Sequence, residues 1–108
     1  MTQLRLISAG QELPLSVLID SARTAEQSGA WDDALEGYRA AIARIHAGEQ
    51  PDQGPQVLRW IGRVHFERGQ YDEAHAAFEA SLVNAQALGL RKHAASALNG
   101  MAVVEQFR

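Results

Sequence analysis

Arg59 and Arg63 stand four residues apart, so on a helix they share one face. Arg23 precedes Arg63 by 40 residues, and the surrounding phrase recurs at the same offset, so both arginines hold one place in successive units. A guanidinium keeps its charge and grips a carboxylate through two parallel hydrogen bonds. Trp60 and Phe66 lie between and beside these cations. The chemistry on offer is recognition of an acidic group with an apolar seat next to it. The competing reading is a set of solvated arginines, with Arg63 paired to Glu67 one turn along its own helix.

Other reactive-looking residues lead elsewhere. Asp32-Asp33 and Asp72-Glu73 suggest paired-carboxylate catalysis, but they recur at the repeat offset at the start of a helix. Helix capping, and negative charge opposing the helix dipole at roughly 0.3–1 kcal/mol each, explain them better. His46, His65, His75 and His93 show no metal-ligand spacing on one helix face, and no HExxH occurs. The chain has no cysteine, phosphate loop, nucleotide fingerprint or Gly-x-Ser-x-Gly elbow. The expectation is a non-enzymatic protein with no catalytic residue, no metal site and no cofactor. His65 is expected to make a buried hydrogen bond.

Helices must position these groups. Residues 60–81 read as two helices joined at Gly69-Gln70-Tyr71, with Leu58, Ile61, Gly62 and His65 on one stripe and Ala74, Phe78 and Leu82 on the other. A unit so short cannot bury both stripes alone. The chain supplies a neighbour: Ser28-Gly29-Ala30-Trp31-Asp32-Asp33-Ala34 and Arg68-Gly69-Gln70-Tyr71-Asp72-Glu73-Ala74 are one phrase offset by 40 residues. Tyr38, Ala41 and Ile42 match Phe78, Ser81 and Leu82, and Leu58, Ile61, Gly62 and Arg68 match Leu98, Met101, Ala102 and Arg108. Internal repetition at such a period marks a helical solenoid.

Leu58, Ile61, Gly62, Ala74 and Phe78, with the turn glycine ahead of the aromatic, resemble the tetratricopeptide repeat. The spacing is similar to a longer, 40-residue variant found in bacterial signalling proteins and in cell-polarity adaptors that bind acidic peptides. His65 stands at a usual tyrosine place, Ser21-Ala22 replaces a Leu-Gly pair, and the late proline is absent. The resemblance covers residues 15–108 and implies an all-α, right-handed α-solenoid of two and a half repeats, five helices in all. It implies a protein–protein interaction module whose first helices line a concave groove. The groove positions map to Ile19, Arg23, Glu26 and Gln27, then to Gln56, Arg59, Trp60, Arg63, Phe66 and Glu67, and last to Asn99, Val103 and Gln106. Among these, Arg23, Arg59, Trp60, Arg63, Phe66 and Asn99 are the candidate partner-binding residues. The clamp of two lysines, two asparagines and an arginine in chaperone-binding members is not matched, because Ile19, Arg23 and Arg63 occupy three of its places. Charge agrees with an acidic ligand: the helix ending at Gly69 has Arg59, Arg63 and Arg68 against Glu67, while the next has Asp72, Glu73 and Glu79 with no lysine or arginine.

Composition narrows the class. At 108 residues the chain is one domain, and 46% hydrophobic content rich in alanine suits close-packed helices. A net charge of −3 argues against a general nucleic-acid binder. No apolar run is long enough to span a bilayer, and the first residues lack a signal peptide's apolar core, so a cytoplasmic protein with no membrane partner is expected.

In chain order, residues 1–13 read as a lead-in, extended around Leu4-Arg5-Leu6-Ile7, and 14–108 as the repeat domain. Repeat one spans 15–48, repeat two 55–89 and a half repeat 91–108. Pro14 opens a helix over Leu15 to Ser28 with Leu18, Ala22 and Ala25 inward. The second helix buries Ala34, Leu35, Tyr38, Ile42 and Ile45 and ends near His46. Residues 48–54 read as the least ordered stretch. Pro55 opens the third helix, Gly89 stops the fourth, and Arg91 to Arg108 forms the last. That last helix has no following partner, so Leu98, Met101 and Val104 are expected to be under-covered; either the helix caps the solenoid, or these residues form a self-association face. Homodimerisation through it, or a regulatory fragment of a larger bacterial signalling protein, are the alternatives to peptide capture.

Overall fold

The computed structural model describes residues 13–108, so the lead-in around Leu4 to Ile7 lies outside the described residues. Five α-helices follow one another: α1 (Leu15–Gln27), α2 (Trp31–His46), α3 (Gly54–Glu67), α4 (Tyr71–Leu88) and α5 (Arg91–Phe107). No strand occurs among the described residues. Helices α1 and α2 form one hairpin and α3 and α4 a second, with α2 packed on α3, and α5 on both α4 and α3. The body measures 49 × 30 × 17 Å. Its least dimension is about two helix layers at the usual 8–10 Å interaxial distance, so every helix keeps a side toward solvent.

The two hairpin turns share one geometry. Gly29 and Gly69 take φ of +81° and +75°, a left-handed backbone that glycine adopts without a Cβ penalty. The following amides, Ala30 N and Gln70 N, donate to Ala25 O and His65 O at 2.8 Å in both turns. This six-to-one bond closes the preceding helix and satisfies an orphan carbonyl. The linker between hairpins is more ordered than its composition suggests. Pro51–Gln53 forms a 3₁₀ turn, and Arg44 grips Glu49 at 2.6 and 2.9 Å while also donating to the Leu13 carbonyl. Gly54 and Pro55 are buried, and Ser81 Oγ donates to Pro55 O at 2.7 Å.

The first-turn acids do not cap their helices: neither α2 nor α4 has a side-chain cap hydrogen bond. Instead Arg68 Nη1 meets Asp32 Oδ1 at 3.0 Å, and Arg108 Nη1 meets Asp72 Oδ1 at 3.4 Å. One ion pair is thus built twice across successive units. Asp32 and Asp72 are about 90% exposed, so these pairs contribute little to stability. They mark the register.

The core joins Leu15, Ile19 and Ala22 of α1 to Leu35, Tyr38 and Ile45 of α2 and Val57, Ile61 and Val64 of α3. On α1 the buried stripe runs through Leu15, Ile19 and Ala22, at i, i+4 and i+7. Leu18 and Ala25, expected inward, are only half-buried, and Ile19, mapped to the groove, belongs to the core. On α5 the face toward α4 bears Ala97 and Val104, so Val104 is fully buried rather than under-covered; Met101 is half-buried and Leu98 is 52% exposed.

Small residues set how closely the helices approach. A Cβ on Gly37 would lie 2.8 Å from Ala22 Cβ and 3.4 Å from its Cα, so α1 and α2 touch backbone to backbone. Gly37→Ala gains about 1 kcal/mol of helix propensity but overpacks a contact with no flexible atom to yield, at about 1–3 kcal/mol. The variant is expected to unfold at lower urea than wild type; a higher midpoint would contradict the close approach.

Candidate functional site

Five of the six groove candidates meet in two adjoining clusters. At the first junction, Tyr38 of α2 is fully buried and stacks on Trp60 of α3, ring centroids 5.8 Å apart and planes 29° from parallel. The Arg23 guanidinium of α1 lies 4.3 Å over the Trp60 ring, a cation–π contact. Tyr38 Oη donates to Glu26 Oε1 at 2.6 Å, and Arg63 Nε donates to Glu26 Oε2 at 2.5 Å. Arg63 is therefore neither free nor paired with Glu67; it reaches back to the preceding repeat. The stripe of α1 explains this, since Glu26 follows Ala22 at i+4 and its carboxylate, 10% exposed, needs partners to be tolerated there.

Charge states follow from that geometry. Burial works against the Glu26 anion, but hydrogen bonds from Arg63 and Tyr38 and the charges of Arg63 and Arg23 outweigh it and hold the carboxyl below its usual range. Burial, then the hydrogen bond to Glu26, pushes the Tyr38 phenol up. The Glu26 hydrogen bond raises Arg63 against a smaller burial effect. Arg59 moves the other way, lowered by burial and by the neighbouring Arg63 charge.

The second cluster is a cavity of about 300 Å³ where α3 and α5 lie side by side over α4. Arg59, Trp60, Arg63 and Phe66 line it from α3, Phe78 from α4, and Ser96, Gly100, Val103 and Val104 from α5. Arg59 Nη1 donates to His93 Nδ1 at 2.8 Å, which places that ring's own proton on Nε2. Phe66 also packs on Tyr71 and Phe107, at 5.6 and 5.1 Å between centroids. Arg23 backs the cavity through Trp60. Asn99 is exposed and does not line it.

Sequence reasoning missed Phe78 and Gly100 as cavity residues. By register Phe78 reads as a packing residue of its own hairpin. Gly100 was legible from the 40-residue offset, since it stands where Trp60 stands one repeat earlier. A Cβ at Gly100 would lie 2.5 Å from Phe78 Cδ1, and one at Gly62 would lie 3.0 Å from Phe78 Cζ. The Phe78 ring is thus wedged between two helices that each lack a side chain at the contact.

Paired helices joined at a turn glycine recur in both hairpins. Against known families, residues 55–88, the α3–α4 hairpin, match the tetratricopeptide repeat. This hairpin is a tetratricopeptide repeat. No curated protein and no solved structure matches the chain. Tetratricopeptide repeats generally mediate protein–protein interaction. Among the described residues no group of His, Asp and Glu is placed to hold a metal ion, and no helix is long and apolar enough to cross a membrane. His65, at the repeat's usual tyrosine place, hydrogen-bonds through Nδ1 to Gln70 Oε1 at 2.8 Å and so fastens the turn.

Glu26 gives the site a pH signature. Its folded pKa lies below the ordinary 4.5, so its contribution is fully present above that value and is lost as pH falls through the depressed one. The stability gap between wild type and Glu26→Gln, measured by urea unfolding, is expected to be constant above about pH 5 and to shrink below about pH 4. A gap that does not change with pH would contradict the ion pair.

Proposed function

We propose that the chain captures a partner peptide or partner helix in the cavity between α3 and α5, gripping an acidic group at the rim and an apolar side chain inside. The observation behind this reading is the juxtaposition of Arg59 and Arg63 with an apolar floor of Phe66, Phe78 and Val103. Against the three guanidiniums of Arg23, Arg59 and Arg63 stand only the part-buried carboxylate of Glu26, held by Arg63, and exposed Glu67. The site is cationic. Arg59 is the residue best placed to meet a ligand carboxylate, because its partner is a ring nitrogen of His93 rather than a carboxylate and can be displaced without stranding an anion. Arg23 and Arg63 hold the junction together and act by charge. Selection of random peptides on the immobilised protein is expected to enrich sequences in which Asp or Glu flanks an apolar residue. Arg59→Glu should weaken the enriched peptides by at least about tenfold, the usual loss when one side of a charge-assisted pair is reversed. Enrichment of basic peptides, or binding that ignores Arg59→Glu, would overturn the reading.

Self-association is the second reading, favoured by the apolar surface away from the cavity. Leu98 is 52%, Val83 60% and Leu88 40% exposed, and a second copy would cover them. Leu98→Glu should then abolish a concentration-dependent dimer in analytical ultracentrifugation. A wild-type protein that stays monomeric at about 100 μM, far above the Kd of a stable dimer, would remove this reading.

A further inference from the structure

We infer that the cavity over Phe78 receives an aromatic side chain from an acid-flanked partner segment, completing a stack that the chain builds for itself one repeat earlier. The inference rests on the peptide-capture reading and narrows it. At the 40-residue offset Arg23, Tyr38 and Trp60 correspond to Arg63, Phe78 and Gly100. The first junction is a finished three-layer stack: Tyr38, then Trp60 at 5.8 Å, then the Arg23 guanidinium at 4.3 Å. In the second junction the lower ring and the arginine are present and the middle layer is missing. Tyr38 is fully buried, whereas Phe78 is only partly covered.

The chain cannot supply the missing ring from that position. Phe78 has come so close to Gly100 that a Cβ there would lie 2.5 Å from Cδ1. The space left over is the cavity of about 300 Å³ bounded by Phe78, Phe66, Trp60 and Val103, with Arg63 and Arg59 at its edge. A flat ring fits this lining for reasons beyond volume. It pairs with the faces and edges of three resident rings and presents its own face to a guanidinium. A branched aliphatic side chain fills space but makes neither contact. Carboxylates on either side of the ring meet the cationic rim.

Three capped tripeptides test this: Ac-Asp-Trp-Asp-NH₂, Ac-Asp-Leu-Asp-NH₂ and Ac-Asp-Ala-Asp-NH₂, each titrated into the ¹⁵N-labelled full chain and followed by amide shifts. The tryptophan peptide is expected to bind roughly 3- to 10-fold more tightly than the leucine peptide, the ratio that aromatic pairing beyond area burial yields, and the alanine peptide weakest. Ser96→Trp should occupy the cavity from the exposed side of α5 and weaken the tryptophan peptide at least about fivefold, while circular dichroism stays that of wild type. Val103→Trp gives the same test from two turns further along α5 should the first variant misfold. Equal affinity for tryptophan and leucine, with both weakened by Arg59→Glu, would overturn the aromatic inference and leave peptide capture standing. Tryptophan binding that survives both filling variants would place the ring elsewhere and also overturn it. Saturable binding by none of the three at millimolar concentration would overturn both.

Discussion

Each hairpin sends one ring across to the first helix of the next unit, and the spacing of every helix follows from where that ring can lie. Tyr38 reaches its place because Ala22 and Gly37 let α1 and α2 close to backbone contact. Phe78 reaches its place because Gly62 and Gly100 present bare backbone on both sides. Interiors are packed too densely for such contacts to give gradually, so a methyl group at one of these positions must displace a ring or a helix. The two junctions solve one problem differently. The first places a second ring, Trp60, on the crossing one, and the second omits it.

That difference decides where polar groups can survive. At the first junction the stack shields Glu26, and the shielded carboxylate is tolerable only because Tyr38 and Arg63 both donate to it. Removing one partner of such a pair strands a charge, which is why the net worth of the pair and the cost of breaking it are different quantities. Arg63 thereby belongs to two places at once. Its Nε locks repeat to repeat, and the rest of the guanidinium, 44% exposed along the side chain, faces the cavity. The arginine that lines the cavity also ties one repeat to the next.

Much of the fold was legible because the repeat prints each instruction twice. The turn phrase at 28–34 and again at 68–74 fixed both hairpins, and the helix ends fall within a residue or so of where the glycines and prolines place them. The face of α1 was misjudged because Leu15 and Leu18 compete for the inward stripe, and periodicity alone does not choose between them; packing against α2 does. A last helix in the repeat pattern leaves Val104 under-covered on paper, yet its side chain is fully buried. On the site, Arg59, Trp60, Arg63 and Phe66 were found by register. Pairing was not. Nothing local ties Arg63 to Glu26 across 37 residues, and a glycine in a helix reads as an irregularity until its counterpart, Trp60, is set beside it.

The surface that results is a tetratricopeptide hairpin flanked by two related helices, with a cationic rim above an apolar floor. The proposed binding role turns on location, and location can be mapped directly. The measurement that bears most on the account is a backbone amide shift map of the labelled chain with a selected acidic peptide. The account predicts perturbations concentrated at residues 59–66, around Phe78 and along 96–104. Perturbations centred instead on Val83, Leu88 and Leu98, with the cavity residues unmoved, would contradict it.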